Sequence, residues 1–128
     1  MALALDGIAP LLRVLDMARS VAFYRDVLGF SVMATEPRGA ADCTWCMLAL
    51  GDIAIMLDAG PGALSVAPGP PAEHRISLYF ACVDVDAAYA ALAKRGYPMN
   101  PPATTGHGMR QLVMRDPDGV ELCFQHPV

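Results

Sequence analysis

The chain has 128 residues, 55% of them hydrophobic and only 17% charged, with a formal net charge of −4. This composition predicts one folded domain and argues against disorder, and the negative charge without a basic cluster argues against a nucleic-acid partner. No apolar run reaches the roughly 18 residues that cross a membrane, and the first residues lack the basic start of a secretory signal. We therefore expect a cytoplasmic protein with no membrane partner.

The first half of the chain predicts a strand, a helix and three further strands. Ile8–Leu15 has strand character and is followed by Asp16, a good helix N-cap. The helix is predicted to run to Leu28, where Gly29 ends it, with an apolar face formed by Met17, Val21, Tyr24 and Leu28. The last two strands are joined by the hairpin turn Gly51-Asp52. The three strands are predicted at Phe30–Ala34, Thr44–Leu50 and Ile53–Leu57.

The second half repeats this order. Ile76–Val83 is a predicted strand that ends at Asp84, a second helix N-cap, and the helix runs to about Arg95 before Gly96. Its buried face is predicted to hold Val85, Ala88, Tyr89 and Leu92. The last two of its later strands are joined by an Asp-Pro-Asp-Gly turn at 116–119. These strands are predicted at Tyr97–Met99, Arg110–Arg115 and Val120–Gln125.

Two β-α-β-β-β modules within a single domain, 1–128, follow from this repeat, so the fold class is α+β. The first module covers about 6–58 and the second about 75–126. A linker rich in proline and glycine, 59–74, lies between them. A helix covers only one face of a short sheet, so two modules are expected either to pair their strands or to curve their other faces around a shared hollow. The sequence does not show whether the partner module belongs to the same chain or to a second copy. Two copies are the usual solution, so a homodimer is expected.

Three segments carry a resemblance to a known family: Arg13–Phe30, Leu78–Asp86 and Gly108–Gln125. Their motifs are similar to those of the vicinal oxygen chelate superfamily, which includes glyoxalases, bleomycin resistance proteins and extradiol dioxygenases. The bleomycin-resistance-like branch is the most similar. Each motif alone is weak, but they occur in the family's order and on the matching elements. The resemblance implies two tandem modules whose curved mixed sheets form a ligand cup.

The resemblance also implies where a metal would be held. Enzymes of this family bind a divalent metal through four side chains, typically His, Gln or Glu, one from each of four strands. Counting from the matched motifs gives hydrocarbon side chains at three of these four positions, and such side chains cannot ligate a metal. We therefore expect no metal and no cofactor, and the sequence leaves open whether the chain is an enzyme. The four positions are Ala9, Ile55, Leu78 and Cys123.

Strand alternation predicts which side chains face the cup. On the last strand, Leu122 and Phe124 are expected to pack under a helix. Trp45, the only tryptophan, is expected with equal weight to stack on a planar ligand or to belong to the core. A mainly apolar cup with a few polar groups is typical of a site for a small organic ligand. The other residues predicted to face it are Arg13, Ile55, Leu57, Leu78, Phe80, Glu121 and Cys123.

Three polar residues have a functional and a structural interpretation. Glu121 could bind a cationic ligand group or act as a base, but a salt bridge with Arg13 is favoured. Arg110 could anchor a ligand carboxylate, although a structural role is favoured. His107, in the loop Thr104–Gly108, could line the mouth of the cup, although loop histidines are usually solvated.

The remaining histidines and cysteines are given structural or surface roles. His74 and His126 are expected at the surface. Cys43 and Cys46 form a CxxC motif, but in a strand residues three apart point to opposite faces. With Cys82 and Cys123 far away in sequence, reduced and mostly buried thiols are favoured over a zinc site.

The leading hypothesis is a metal-free protein that sequesters or carries an apolar or aromatic ligand in a dimer cup. The alternative is a metal-dependent lyase, isomerase or dioxygenase whose ligands have moved to His107, Glu121 and Cys123. A third possibility is a metal-free enzyme that uses Glu121 or Asp58 as a base.

Overall fold

The computed structural model describes residues 2–60 and 76–128. The chain divides into two compact units, Met1–Pro68 and Gly69–Val128. Among the described residues, each unit contains one four-stranded mixed sheet and one α-helix, in the order β-α-β-β-β. The predicted α+β class with two repeated modules is therefore confirmed. Within the described residues, no helix is long and apolar enough to span a membrane.

The first module follows the predicted order with small shifts in its boundaries. Asp16 caps the helix, because its carboxylate accepts a hydrogen bond from the Arg19 backbone N–H at 3.1 Å. The sheet order is β1-β4-β3-β2, with β1 parallel to β4 and the other pairs antiparallel. The elements are β1 Leu11–Arg13, α1 Met17–Ala22, β2 Ser31–Glu36, β3 Trp45–Leu50 and β4 Ile53–Asp58.

The helix of the first module ends in a wider turn than the sequence predicts. After α1 the chain continues as a π-helical turn, Phe23–Val27, and Gly29 then takes a φ of +94°. The wider turn changes which side chains are buried, because it no longer advances by 3.6 residues. Phe23 is buried beside Tyr24, in an edge-to-face contact at 5.0 Å between ring centroids. The predicted apolar face was therefore right at Met17 and Tyr24, which are both buried, but it missed Phe23.

The core of the first module lies between its helix and one face of its sheet. The Cys46 thiol on β3 lies 3.7 Å from the Met17 sulfur on α1, which identifies the face that the helix covers. Cys46 pairs with Leu57, and Leu48 pairs with Ile55, so all four side chains share this face. All four are fully buried.

The second module repeats the arrangement with a longer helix. Asp84 caps it, accepting hydrogen bonds from the backbone N–H groups of Asp86 and Ala87, both at 3.1 Å. The sheet order is β5-β8-β7-β6, with β5 parallel to β8. The elements are β5 Leu78–Ala81, α2 Val85–Lys94, β6 Ala103–Thr104, β7 Met109–Arg115 and β8 Glu121–Pro127.

An ion pair identifies the helix-covered face of the second sheet. Arg110 on β7 binds Asp86 on α2, so Arg110 and every second residue from it, including Leu112, lie on the helix side. Strand pairing places Phe124 opposite Leu112, and Phe80 opposite Phe124, on the same face. Phe80 and Phe124 stack at 5.1 Å between ring centroids.

One predicted strand differs from the structure, and one predicted segment lies mostly outside the described residues. Tyr97–Met99 is not a strand; the short strand β6 lies at Ala103–Thr104 instead. The reason is the prolines at 98, 101 and 102, which have no N–H to donate to a strand ladder. Most of the predicted linker, including His74, lies outside the described residues.

Candidate functional site

Each sheet has an open face, which we define as the face opposite its helix. Strand pairing shows which residues lie on each open face, because paired residues share a face and neighbours along a strand point to opposite faces. The open face of the first sheet carries Leu11, Arg13, Trp45, Met47, Ala49, Ala54, Met56 and Asp58. The open face of the second sheet carries Tyr79, Ala81, Gln111, Val113, Arg115, Glu121, Cys123 and Gln125.

A cleft of about 690 Å³ lies along β7 at the open face of the second sheet. One wall is formed by Gln111, Val113 and Arg115, and another by Pro98–Pro101. The Gln111 side chain donates a hydrogen bond to the Gln125 amide oxygen at 2.9 Å, which fixes the orientation of both amides. The cleft therefore combines apolar contacts with a small number of oriented polar groups.

A smaller cleft, of about 630 Å³, occupies the equivalent strands of the first module. It lies along β2, and its walls include Met33, Glu36 and Arg38. Trp45 is half-buried on the open face and lines this cleft. Of the two roles expected for this tryptophan, its position at the cleft matches that of a wall residue.

Glu121 lies on the predicted face and is held by neighbours in its own module. Its carboxylate accepts a hydrogen bond from the Ser77 hydroxyl at 2.9 Å. The Arg115 guanidinium lies 4.0 Å from its other oxygen. These contacts make Glu121 part of a structural polar group beside the cleft. Asp58, the other base considered, accepts a hydrogen bond from the Gly60 backbone N–H at 2.9 Å.

Cys123 also lies on the open face, but its side chain is fully buried. Burial raises the pKa of the Cys123 thiol, and the nearby Glu121 carboxylate raises it further, while a hydrogen bond with Tyr79 acts in the opposite direction. A thiol with a raised pKa stays protonated at neutral pH and is a poor nucleophile. Cys123 is therefore a buried, protonated thiol within the sheet.

Four residues predicted to line the cup lie on the wrong face for that role. Ile55 and Leu57 are fully buried on the helix-covered face of the first sheet, and Leu78 and Phe80 lie on the helix-covered face of the second. Up to Leu57 on β4, and throughout β5, both faces are largely apolar, so hydrophobic alternation does not show which residues face the helix. In the structure the open face holds their neighbours, Met56 on β4 and Tyr79 on β5, as members of the sets defined above.

The predicted faces of the first and last strands are correct. Arg13 lies on the open face of β1, and Glu121 and Cys123 lie on the open face of β8. Leu122 and Phe124 face the helix side, as expected. On β8 the polar Glu121 and Gln125 lie on one face, and this pattern was enough to predict which face of the strand is the open one.

Arg110 has the structural role that the sequence favoured. It lies on the helix-covered face and makes two hydrogen bonds to the Asp86 carboxylate, at 2.7 and 2.9 Å, and a third to Thr104 at 3.3 Å. These hydrogen bonds lower the pKa of Asp86. His107 is exposed, in the turn between β6 and β7, and its proposed role at a ligand site stays a prediction.

One group of three His, Cys, Asp or Glu side chains that could hold a metal occurs among the described residues, on the helix side of the second module. Asp84, Asp86 and His126 bring ligand atoms within 4.8 Å of one another. Asp84 already caps α2, and Asp86 already binds Arg110. The relocated ligands of the alternative hypothesis, His107, Glu121 and Cys123, do not form such a group in this part of the chain.

The chain matches a family model and several solved structures. The model of the Glyoxalase/Bleomycin resistance protein/Dioxygenase superfamily matches residues 5–124. No curated protein sequence matches the chain. TnmS3, an antibiotic-binding protein from Streptomyces sp. CB03234, is 26% identical, with a TM-score of 0.72 over 99% of this chain and 100% of that one.

Two further structures share the fold. A bleomycin-binding protein complexed with bleomycin is 24% identical, with a TM-score of 0.70 over 97% of this chain and 100% of that one. A lactoylglutathione lyase from Agrobacterium tumefaciens is 19% identical, with a TM-score of 0.68 over 95% of this chain and 94% of that one. The same fold therefore occurs in a binding protein and in an enzyme, so the function has to be argued from the residues.

Proposed function

The chain belongs to the Glyoxalase/Bleomycin resistance protein/Dioxygenase superfamily, and from this premise we propose that it binds a small organic ligand without a metal. The ligand is mainly apolar or aromatic, and it is sequestered or carried, not converted. The observation that carries this proposal is the identity of the open-face residues on the parallel strand pairs. Leu11 pairs with Met56, and Tyr79 pairs with Cys123.

These residues are a poor set for the divalent metals used by enzymes of the family. Imidazole and carboxylate groups are the usual ligands of catalytic zinc, nickel, manganese and iron. None of the four side chains is an imidazole or a carboxylate, and Cys123 is buried with a raised pKa. Ile55 and Leu78, the metal positions counted from the sequence, lie on the helix-covered faces, and their open-face neighbours Met56 and Tyr79 are neither imidazoles nor carboxylates.

The clefts support binding of an organic molecule. Pockets of about 300–1,000 Å³ hold drug-sized ligands, usually with apolar walls and a few oriented polar groups. The second-module cleft, of about 690 Å³, has this composition, with Met99 and Val113 as apolar wall and Gln111 and Arg115 as polar groups. An antibiotic-binding protein and a bleomycin-binding protein with this fold support the same class of function.

The proposal is tested with chelator-treated protein and two probes, metal-free bleomycin and the dye anilinonaphthalene sulfonate. We expect saturable binding of at least one probe by calorimetry or dye fluorescence. Val113→Asp should weaken it roughly tenfold or more, because it places a charged group against the apolar wall of the cleft, where even a neutral polar group without a hydrogen bond costs about 1–3 kcal/mol. Val83→Asp is the matched control, because Val83 is 99% exposed and lines neither cleft.

Three outcomes would count against the proposal. Binding that is lost on chelation and restored by zinc, nickel, manganese or iron would favour the metal-dependent enzyme. Equal binding by both valine variants would remove the second-module cleft as the site. Failure of both probes to bind the intact protein would contradict the proposal that it binds an organic ligand of the bleomycin type. Trp45 fluorescence provides a separate readout, because this single tryptophan lines the first-module cleft.

A homodimer is part of the proposal, because small modules with uncovered sheet faces commonly function as two copies. The mass of the protein in solution tests this directly. A ligand-bound monomer would show that a second copy is not needed for binding.

A further inference from the structure

Two glutamine side chains, Gln111 and Gln125, meet on the open face of the second sheet, and we call them the amide pair. Strand pairing places Gln111 on β7 opposite Gln125 on β8. The Gln111 Nε2 donates a hydrogen bond to the Gln125 Oε1 at 2.9 Å. Both side chains are half-buried, and Gln111 lines the cleft of about 690 Å³. The amide pair therefore lies at the edge of the cleft proposed to bind the ligand.

Most of the hydrogen-bonding capacity of the amide pair is unused among the described residues. A primary amide has two N–H donors and an oxygen that can accept two hydrogen bonds. The bond between the glutamines leaves one N–H on Gln111, two on Gln125, and acceptor capacity on both oxygens. Neither side chain makes a further hydrogen bond to any residue that the structure describes. In this part of the chain no buried side-chain N or O atom lacks a partner, so the remaining groups of the pair are accessible to a ligand.

The strands on either side leave the amide pair open. The row of paired residues continues across the sheet with Ala81 on β5, beside Gln125, and with Ala103 on β6, beside Gln111. Both alanines are exposed, and a methyl group is too short to cover a neighbouring amide. Val113 lies two residues along β7 on the same face and lines the cleft. A flat ligand against Val113 can therefore present its edge to the two amides.

The charged residues of this open face, Arg115 and Glu121, are separate from the amide pair. Arg115 lies four residues from Gln111 along β7, a distance of about 13 Å in a strand. Its guanidinium donates a hydrogen bond to the Gly119 carbonyl at 2.9 Å and lies 4.0 Å from the Glu121 carboxylate. The row that contains the amide pair is thus neutral, and it offers donors and acceptors side by side.

We propose that the amide pair selects a neutral ligand with an N–H donor next to a carbonyl acceptor, as in a lactam, an imide or a primary amide. This inference rests on the function proposed above and names the chemical class of its ligand. A carboxylate offers only acceptors and would meet the glutamine oxygens, whereas an ammonium group offers only donors and would meet the glutamine N–H groups. A lactam satisfies both kinds of group, and each added hydrogen bond strengthens binding by roughly two- to tenfold.

The test compares two probes that differ by one methyl group. In 2-quinolinone the lactam N–H lies beside the carbonyl, and in 1-methyl-2-quinolinone a methyl group replaces that hydrogen. Calorimetry or probe fluorescence measures the affinity of each for the intact protein. We expect the lactam to bind several-fold to roughly tenfold more tightly, because it alone can donate to a glutamine oxygen. The ratio of the two affinities is the readout, since a general loosening of the cleft changes both affinities together.

Variants of the amide pair separate hydrogen bonding from the size of the methyl group. Gln111→Met and Gln125→Met keep the length of the side chain and remove its amide, so the fold should be kept. In each variant the ratio of affinities should fall toward one. Val113→Ala is the matched control on the same face of β7. It removes apolar contact, so it should weaken both probes alike and leave the ratio unchanged.

Four outcomes would overturn the inference. The first three are equal binding of the two probes by the unaltered protein, a ratio that persists in both methionine variants, and no binding of the lactam by a protein that still binds bleomycin or anilinonaphthalene sulfonate. These three leave the proposed function standing. The fourth, failure of every probe to bind, would overturn the proposed function as well.

Discussion

The two modules share one order of elements but differ in what their open faces carry. In the first module that face is mainly apolar and includes Trp45, Met47 and Met56. In the second module half of the residues on that face are polar or charged, and Gln111 is hydrogen-bonded to Gln125 across neighbouring strands. Folding requires only that the helix-covered face be apolar, so the open face is free to vary. We infer that differences between the open faces reflect binding, while similarities between the covered faces reflect stability.

The modules also differ in how their last hairpin is closed. The β3–β4 hairpin uses the exposed turn Gly51-Asp52, where Gly51 has a φ of +59°. The β7–β8 hairpin uses Asp116, a buried carboxylate that accepts hydrogen bonds from the backbone N–H groups of Asp118 and Val120, both at 2.9 Å. Both turns have a glycine with a positive φ, +59° at Gly51 and +87° at Gly119, and the second turn adds a buried side-chain acceptor.

The largest expected effects come from the helix-covered faces. Leu57→Ala and Leu122→Ala each remove a fully buried side chain, one from each module. Each should lower the free energy of unfolding by about 2–5 kcal/mol, through lost burial and the cavity left behind. Met56→Ala, on the open face beside Leu57, should cost clearly less. Urea unfolding curves measure all three.

The stabilities of Met56→Ala and Leu57→Ala together test the assignment of faces on β4. If Met56→Ala were as costly as Leu57→Ala, Met56 would be part of the core and the open face of the first module would be wrongly defined. A loss of stability confined to one module would show as a transition with two steps, which would indicate that the units unfold independently.

The two hairpin turns give a smaller effect. Asp116→Ala leaves the backbone N–H groups of Asp118 and Val120 without their buried acceptor, and it should lower the free energy of unfolding by about 1–3 kcal/mol. Asp52→Ala should change it by less than about 0.5 kcal/mol, because Asp52 is exposed. Thermal or urea unfolding provides the measurement.

Asp116→Asn is the control that separates the hydrogen bonds from the charge. Asparagine keeps a side-chain carbonyl that can accept the same hydrogen bonds, so its stability should lie between those of the wild type and Asp116→Ala. Equal losses for the two variants would show that the negative charge, not the acceptor, stabilises the turn.

Local signals predicted the fold well, because they act within a few residues. Asp16 and Asp84 are the helix N-caps, and Gly29 and Gly96 have the positive φ expected after a helix, +94° and +75°. Gly119, with a φ of +87°, closes the predicted Asp-Pro-Asp-Gly turn. The aspartate side chains accept hydrogen bonds from backbone N–H groups, and the glycines let the backbone reverse its direction.

The candidate site was predicted less well, because it depends on which way a strand faces. On β8 the polar Glu121 and Gln125 fixed the orientation, whereas β4 and β5 have apolar residues on both faces and gave no such signal. The sequence also did not predict contacts between distant residues. Arg110 and Asp86 are 24 residues apart, and Met17 and Cys46 are 29 residues apart. Strand orientation and long-range pairing are properties of the assembled sheet.

The smallest expected effect is a difference in pH-dependent stability between two exposed ion pairs, one in each module. Arg110 lowers the pKa of Asp86 and joins β7 to α2, whereas Arg25 lowers the pKa of its sequence neighbour Asp26 within one helical turn. A carboxyl with a lowered folded-state pKa adds stability that is fully present above its unfolded pKa and is lost as the pH falls through its folded pKa. Asp86→Asn should therefore lower the urea midpoint slightly at neutral pH and have no effect in acid.

Asp26→Asn should show much less of this pH dependence, although the pKa of Asp26 is also lowered. Arg25 and Asp26 stay adjacent when the chain unfolds, so part of the interaction survives in the unfolded state and does not contribute to the difference. Asp86 loses Arg110 on unfolding, because 24 residues separate them. Both effects should shrink in high salt, because both pairs are exposed. Equal pH dependence in the two variants would mean that the Asp86–Arg110 pair does not hold α2 against the sheet.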